Sequence, residues 1–124
     1  VTHAEIVADA AFHAARLAGA HAIVVFSASG TSARLVARYR PPVPIFTFTP
    51  SSSAARALSV VYGVHAIPQP HVSSTDEMMA LMDRVLVERG LVKPRDAVVF
   101  VAGQPIGRPG TTNMMKLHRV GEAV

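Results

Sequence analysis

The chain has 124 residues, 50% of them hydrophobic, no cysteine and a formal net charge of +4. That is one domain's length, and without cysteine it holds no disulfide, thiolate nucleophile or zinc–thiolate site. It has no run of about eighteen apolar residues to span a membrane and no charged n-region leading into an apolar run as a secretory signal. Its two lysines and few aromatics make nucleic-acid binding a poor fit.

Helix and strand signals alternate along the chain with no linker or repeat. The chain starts at Val1 directly before a helix, as a piece of a longer protein would. Thr2 and Glu5 have capping-box spacing, and Ile6, Ala10, Ala14 and Leu17 recur at helical intervals, predicting a helix buried on that face and stopped by Gly19. Ala22 to Phe26 is a continuous apolar run, the mark of a strand covered on both faces. SASGTS (27–32) leads into a second helix over Thr31 to Tyr39, ended by Pro41-Pro42. A strand at Ile45 to Thr49 follows. Thr49-Pro50 has the pattern of an N-cap with proline at the first helical position, starting a helix that Gly63 closes. Val64 to Ile67 is a short strand. Ser74 and Glu77 repeat the capping-box spacing, and Met78, Leu81, Met82 and Val85 line one helical face up to Gly90. Ala97 to Ala102 is the fourth strand. The Gly/Pro-rich segment after it is too short for a helical crossover, so Asn113 to Val120 is expected to return antiparallel at the sheet edge.

The pattern predicts an α/β fold, an open three-layer sandwich around a five-stranded mixed sheet. Four strands are parallel, the fifth is an antiparallel edge, and the expected order is 3-2-1-4-5. In such sheets the ligand crevice lies outside the carboxyl ends of the strands, where the strand order reverses. That places SASGTS beside the segment from Gly103 to Thr112. Ser27, Ala28, Ser29, Gly30, Thr31 and Ser32 combine helix-start N–H groups, hydroxyls and a glycine that permits close backbone approach, which suits a phosphate monoester. The alternative is that Ser and Thr simply cap the helix. In the second segment three glycines, Gly103 and Gly110 among them, and two prolines permit a shaped excursion, and Arg108 can clamp a second anionic group or stand solvated as an ordinary surface arginine. Neither a P-loop nor a dinucleotide fingerprint is present.

Charge is uneven. No acidic residue falls between Asp9 and Asp76, while Arg16, Arg34, Arg38, Arg40 and Arg56 all do. A basic half of this kind can steer an anion to one side of the molecule; the alternative is that these arginines are merely solvated or paired with the later carboxylates. Catalysis finds little support. No two of the six histidines have metal-ligand spacing on one helix, GxSxG is missing, and no acid lies near Ser27 or Ser29 in the chain. His118 is expected to be structural or to lie at an interface. Met114-Met115 puts one side chain toward the helices and one away, and an apolar edge strand calls for a cover, for which a second copy is one candidate.

The segments AIVVFSASGTSARLVARYRP, the TP of FTFTP with YGV after it, and VVFVAGQPIGRPGTTNMMKLHRVG resemble the C-terminal domain of pyruvate kinase. The likeness runs over essentially the whole chain, residues 1–124, as one regulatory domain. It implies a cytoplasmic protein of glycolysis that binds a phosphorylated sugar or nucleotide monophosphate. It also implies homo-oligomeric assembly through Asn113–Val120, as part of a pyruvate kinase polypeptide. The catalytic barrel, with its divalent metal and potassium, is absent, so neither cofactor nor phosphotransfer is expected of this chain alone. The effector-phosphate loop corresponds to Ser27–Ser32 and the effector loop to the Gly103–Thr111 segment, with Arg108 as its cation. Two departures bear on the effector's identity: Ala28 stands where many members that respond to fructose 1,6-bisphosphate carry a basic residue, and the chain has no tryptophan. Abundant Ala, Val and Arg with little Lys point to a GC-rich bacterial source. An assembly module with an empty crevice and an independent small sugar-phosphate enzyme are the competing readings.

Overall fold

A computed structural model describes residues 2–70, 74–103 and 112–122. The elements in chain order are α1 (His3–Ala18), β1 (Ala22–Phe26), α2 (Thr31–Ala37), β2 (Ile45–Thr49), α3 (Ser52–Leu58), β3 (Val64–Pro68), α4 (Thr75–Glu88), β4 (Ala97–Gly103) and β5 (Thr112–Arg119). They build one five-stranded sheet in the order β3-β2-β1-β4-β5. The first four strands are parallel, and β5 runs antiparallel along β4. Fold class and strand order are as the sequence predicts.

Local chemistry explains most boundaries. Thr2 caps α1 in a full capping box with Glu5, and Gly19, at φ 61, takes the left-handed turn that ends it. β1 and β2 are buried at every position, as expected of central parallel strands. Where α2 was expected to reach Tyr39, it stops at Ala37, and the chain turns through Arg40 at φ 46. The cap of α3 also differs from the expectation. Thr49 stays in β2, and Ser51 caps the helix by accepting from the Ala54 N–H, because proline, with its fixed φ and no N–H, fits the turn before the cap equally well. This helix ends at Leu58, well before Gly63. At α4 the Ser74 hydroxyl accepts from the Glu77 N–H.

The sheet buries two cores. On one face α1, α2 and α3 pack Ala8, Ala11, Ala15, Ala33, Val36 and Leu58 onto Ile23, Val25, Ile45, Val99 and Val101. The other face is covered by α4, whose Met78, Met79, Met82 and Leu86 lie on Val24, Phe26, Phe46, Phe48, Val98 and Phe100. Each fully buried large side chain contributes about 1.5–3 kcal/mol. Leu81 and Val85, expected in the α4 core stripe, are only half-buried. The larger correction concerns α1. Ile6 and Leu17 lie outside, and Leu17 is 91% exposed, because the helix turns its alanines to the sheet where only small side chains fit. At the start of β5 Met114 packs against the α4 core and Met115 against the α1 core, both half-buried, while Lys116 and Leu117 further along are exposed.

Candidate functional site

The turn between β1 and α2 is held by two tertiary ties. The Ser27 N–H donates to the Phe48 carbonyl at 3.1 Å, extending the parallel ladder one residue past the strand. Its hydroxyl, buried, accepts the Gly30 N–H at 2.8 Å. Gly30, at φ 89, then opens α2, and that backbone conformation demands glycine. On the other side the Thr49 hydroxyl, fully buried at the end of β2, accepts the Ser51 N–H at 3.2 Å and donates to the Ala28 carbonyl in a long bond of 3.5 Å. Thr49 thereby connects the turns after β1 and β2, a role that sequence reading assigned only to helix capping. Its one sequence signal was a threonine ending an apolar strand before proline.

The hydroxyls of the turn fall into two pairs. Ser27 and Ser32 are buried and shape the turn from beneath, while Ser29 and Thr31 are exposed with their oxygens 3.1 Å apart. Ala28 is half-buried between them. The first N–H groups of any helix lack an i−4 carbonyl, so polar oxygens are favoured at this end of the sheet. Among the described residues neither Ser27 nor Ser29 bonds to a histidine: the Ser27 hydroxyl takes the Gly30 N–H and the Ser29 hydroxyl pairs with that of Thr31.

The turn stands beside the end of β4, since Val25 of β1 pairs with Val101. At that end the β4–β5 register shifts between Ala102 and Gly103, and Gly103 pairs with Thr112. The segment after β4 therefore leaves from the strand next to Ser27, at the point where the strand order reverses. Of its predicted site residues, Gly103 is the strand end, while Arg108, Gly110 and Thr111 lie outside the described residues.

Thr31 also borders a cleft of about 540 Å³ between α1 and α2, lined by Thr2, His3, Glu5, Leu35 and Arg38. A smaller hollow of about 220 Å³ continues it past Glu5, Leu35 and Arg38 to Tyr39. Arg38 was counted in the sequence only as one of a basic run; the fold brings it to the same cleft as Thr31. Hydrogen bonds from the Thr2 backbone and hydroxyl hold the Glu5 carboxyl below its ordinary value, with a lesser contribution from the charge of Arg38. Partial burial, then a hydrogen bond to Asp9, pushes the Tyr39 phenol up.

The described ion pairs all involve histidine: His13 with Asp9 at 3.5 Å, His21 with Asp96 at 3.8 Å and His118 with Asp83 at 2.7 Å. Pairing of Arg16, Arg34, Arg38, Arg40 and Arg56 with later carboxylates is not found among the described residues. His118 is structural. An ionised carboxylate only accepts, so Asp83 takes hydrogen bonds from His118 Nε2 and, at 2.8 Å, from the Gly121 N–H. No three His, Asp or Glu side chains converge into a metal-holding group among the described residues. No described helix is long and apolar enough to cross a membrane.

An open sheet of four parallel strands and one antiparallel edge, in the order β3-β2-β1-β4-β5, defines an open α/β domain. Comparison with known proteins narrows that class. Residues 5–118 match the model of the family described as "Pyruvate kinase, alpha/beta domain", and the chain belongs to that family. It is 43% identical over 101 residues to a pyruvate kinase of Geobacillus stearothermophilus, covering 82% of this chain and 17% of that protein. A Staphylococcus aureus (strain USA300) pyruvate kinase is 39% identical over 112 residues, covering 90% of this chain and 19% of the relative. Among solved structures, a pyruvate kinase from Cryptosporidium parvum superposes with a TM-score of 0.87 at 25% identity, over 97% of this chain and 23% of that one. The chain thus spans about a fifth of the length of the pyruvate kinases it matches.

Proposed function

We propose that residues 1–124 act as one regulatory domain within a cytoplasmic pyruvate kinase, where they bind a phosphorylated effector. The catalytic metal, potassium and phosphotransfer belong to the rest of that polypeptide, and this chain alone needs no cofactor. The observation that carries the reading is the turn at the sheet's reversal point, with the Ser29 and Thr31 hydroxyls side by side and exposed. Ser27, Gly30 and Ser32 set that turn's shape, and a phosphate ester is held by its hydroxyls and backbone N–H groups. Gly103, at the end of the neighbouring strand, and Arg108, Gly110 and Thr111, outside the described residues, are assigned to the same effector site by the family resemblance. The rest of the ligand extends toward Arg38 along the cleft that Thr31 borders. Calorimetric titration with fructose 1,6-bisphosphate, glucose 6-phosphate, ribose 5-phosphate and AMP tests this. Saturable binding by one of them, lost in the Ser29→Ala/Thr31→Ala double variant, is expected. Silence from all four removes the effector assignment.

Assembly is the second part of the proposal. The outer edge of β5 has no neighbouring strand in the described sheet, Leu117 on it is 57% exposed, and α1 leaves Ile6 and Leu17 outside. A second copy pairing along Asn113–Val120 covers that edge. Sedimentation velocity is expected to show a dimer that Leu117→Lys weakens; a strict monomer at high concentration rules it out.

A further inference from the structure

Two threonines of β2, Thr47 and Thr49, are fully buried and, two residues apart, share one face of the sheet. Their hydroxyls differ in what they hold. That of Thr47 has no hydrogen-bond partner among the described residues. That of Thr49 accepts the Ser51 N–H at 3.2 Å and donates to the Ala28 carbonyl, 21 residues back in the chain, at 3.5 Å. The two positions are a matched pair, alike in residue type, strand and burial and unlike in contact.

The turn after β1 rests on β2 and α3 at three points. Phe48 takes the Ser27 N–H, Thr49 reaches the Ala28 carbonyl, and Leu58 of α3 packs beneath Gly30, where an added Cβ would lie 3.4 Å from its Cγ. The first contact belongs to the sheet ladder and the third is van der Waals packing. The second depends on a single hydroxyl. In a trans peptide the carbonyl and the next N–H point in opposite directions. Drawing the Ala28 carbonyl toward buried Thr49 therefore turns the Ser29 N–H away from that strand, and Ser29 itself is exposed with its hydroxyl beside that of Thr31.

We propose that Thr49 is the positioning residue of the effector turn. Its hydroxyl fixes the Ala28–Ser29 peptide so that the Ser29 N–H is presented, with the Ser29 and Thr31 hydroxyls, to an oxygen of the phosphate ester. A bond of 3.5 Å adds little strength of its own. It acts by restricting the peptide beforehand, so that less freedom is lost when a ligand orders the turn. The inference rests on the reading of this turn as the effector site, and it adds a residue that does not itself touch the ligand.

The test uses the full polypeptide that carries this domain. Thr49→Val keeps the shape and removes the hydroxyl, Thr49→Ser keeps the hydroxyl, and Thr47→Val is the matched control. Hydrogen exchange read by mass spectrometry is expected to show residues 27–32 exchanging several-fold faster in Thr49→Val than in the other two variants, with α4 unchanged. Fructose 1,6-bisphosphate, glucose 6-phosphate, ribose 5-phosphate and AMP are then titrated by calorimetry. Whichever saturates the unsubstituted protein is expected to bind Thr49→Val roughly tenfold more weakly, the worth of one hydrogen bond, and the other two variants within about twofold. Unchanged exchange, unchanged affinity, faster exchange spread equally to α4, or an equal loss in Thr47→Val overturns the positioning role. If none of the four compounds binds the unsubstituted protein while the turn alone loosens in Thr49→Val, the effector reading is overturned and the hold of Thr49 on the turn is supported.

Discussion

On one face of the sheet three helices press alanines onto β-branched strand residues; on the other, α4 alone covers the strands with three methionines and Leu86. Alanine brings a helix backbone close to the sheet and leaves little room for adjustment, so that face is defined by shape. Methionine is long and unbranched and fills irregular gaps without specifying one arrangement. The α4 face compensates with a polar clasp, in which one Asp83 oxygen receives both His118 of β5 and the Gly121 N–H just beyond it. Close packing and a directed polar contact are two solutions to one problem, holding a helix in a single place on a sheet. The proposed effector turn opens α2, on the alanine-packed side.

The clasp carries the largest expected effect. Asp83→Ala leaves buried His118 and the Gly121 N–H unpartnered and is expected to cost about 3 kcal/mol in urea denaturation. In a His118→Leu background the same change is expected to cost less than half as much; strictly additive costs would show that the two residues do not act as a unit.

Enlarging and reshaping the two cores sharpens the contrast. Ala11→Leu, at a fully buried position facing the sheet, is expected to cost about 1–3 kcal/mol by overpacking, and Met79→Leu under about 1.5 kcal/mol. Thermal unfolding of the pair checks it, and equal losses would erase the distinction between a rigid and an adaptable face.

The smallest effect concerns Thr47. Its hydroxyl is buried in β2 with no hydrogen-bond partner among the described residues. Thr47→Val keeps the shape and removes that group, so stability is expected to rise by up to about 1 kcal/mol. A loss of similar size would mean that the hydroxyl does find a partner.

Most of the fold was legible because its signals are local. Apolar runs at Ala22–Phe26 and Ala97–Ala102 marked two covered strands, capping residues marked α1 and α4, and a connection too short for a helix forced β5 to return antiparallel. The misreading at α1 is instructive. Ile6, Ala10, Ala14 and Leu17 share a helical period with Ala8, Ala11 and Ala15, so the repeat was recognised and its phase was not. Hydropathy favours burying Ile and Leu; the space between α1 and the sheet admits alanine. The candidate turn was legible as a hydroxyl-rich strand–helix junction, but four hydroxyls that read alike in sequence separate into an exposed pair and a buried pair.

Period, composition and connection length are properties of neighbouring residues, and they determined the element types and the parallel course of the first four strands. Tertiary structure alone decided which side of α1 faces inward, that Thr49 reaches Ala28, that Asp83 meets His118 and that Arg40 lies over Tyr62. Those pairs are 21, 35 and 22 positions apart in the chain, and their contact depends on distances through space that no local pattern encodes.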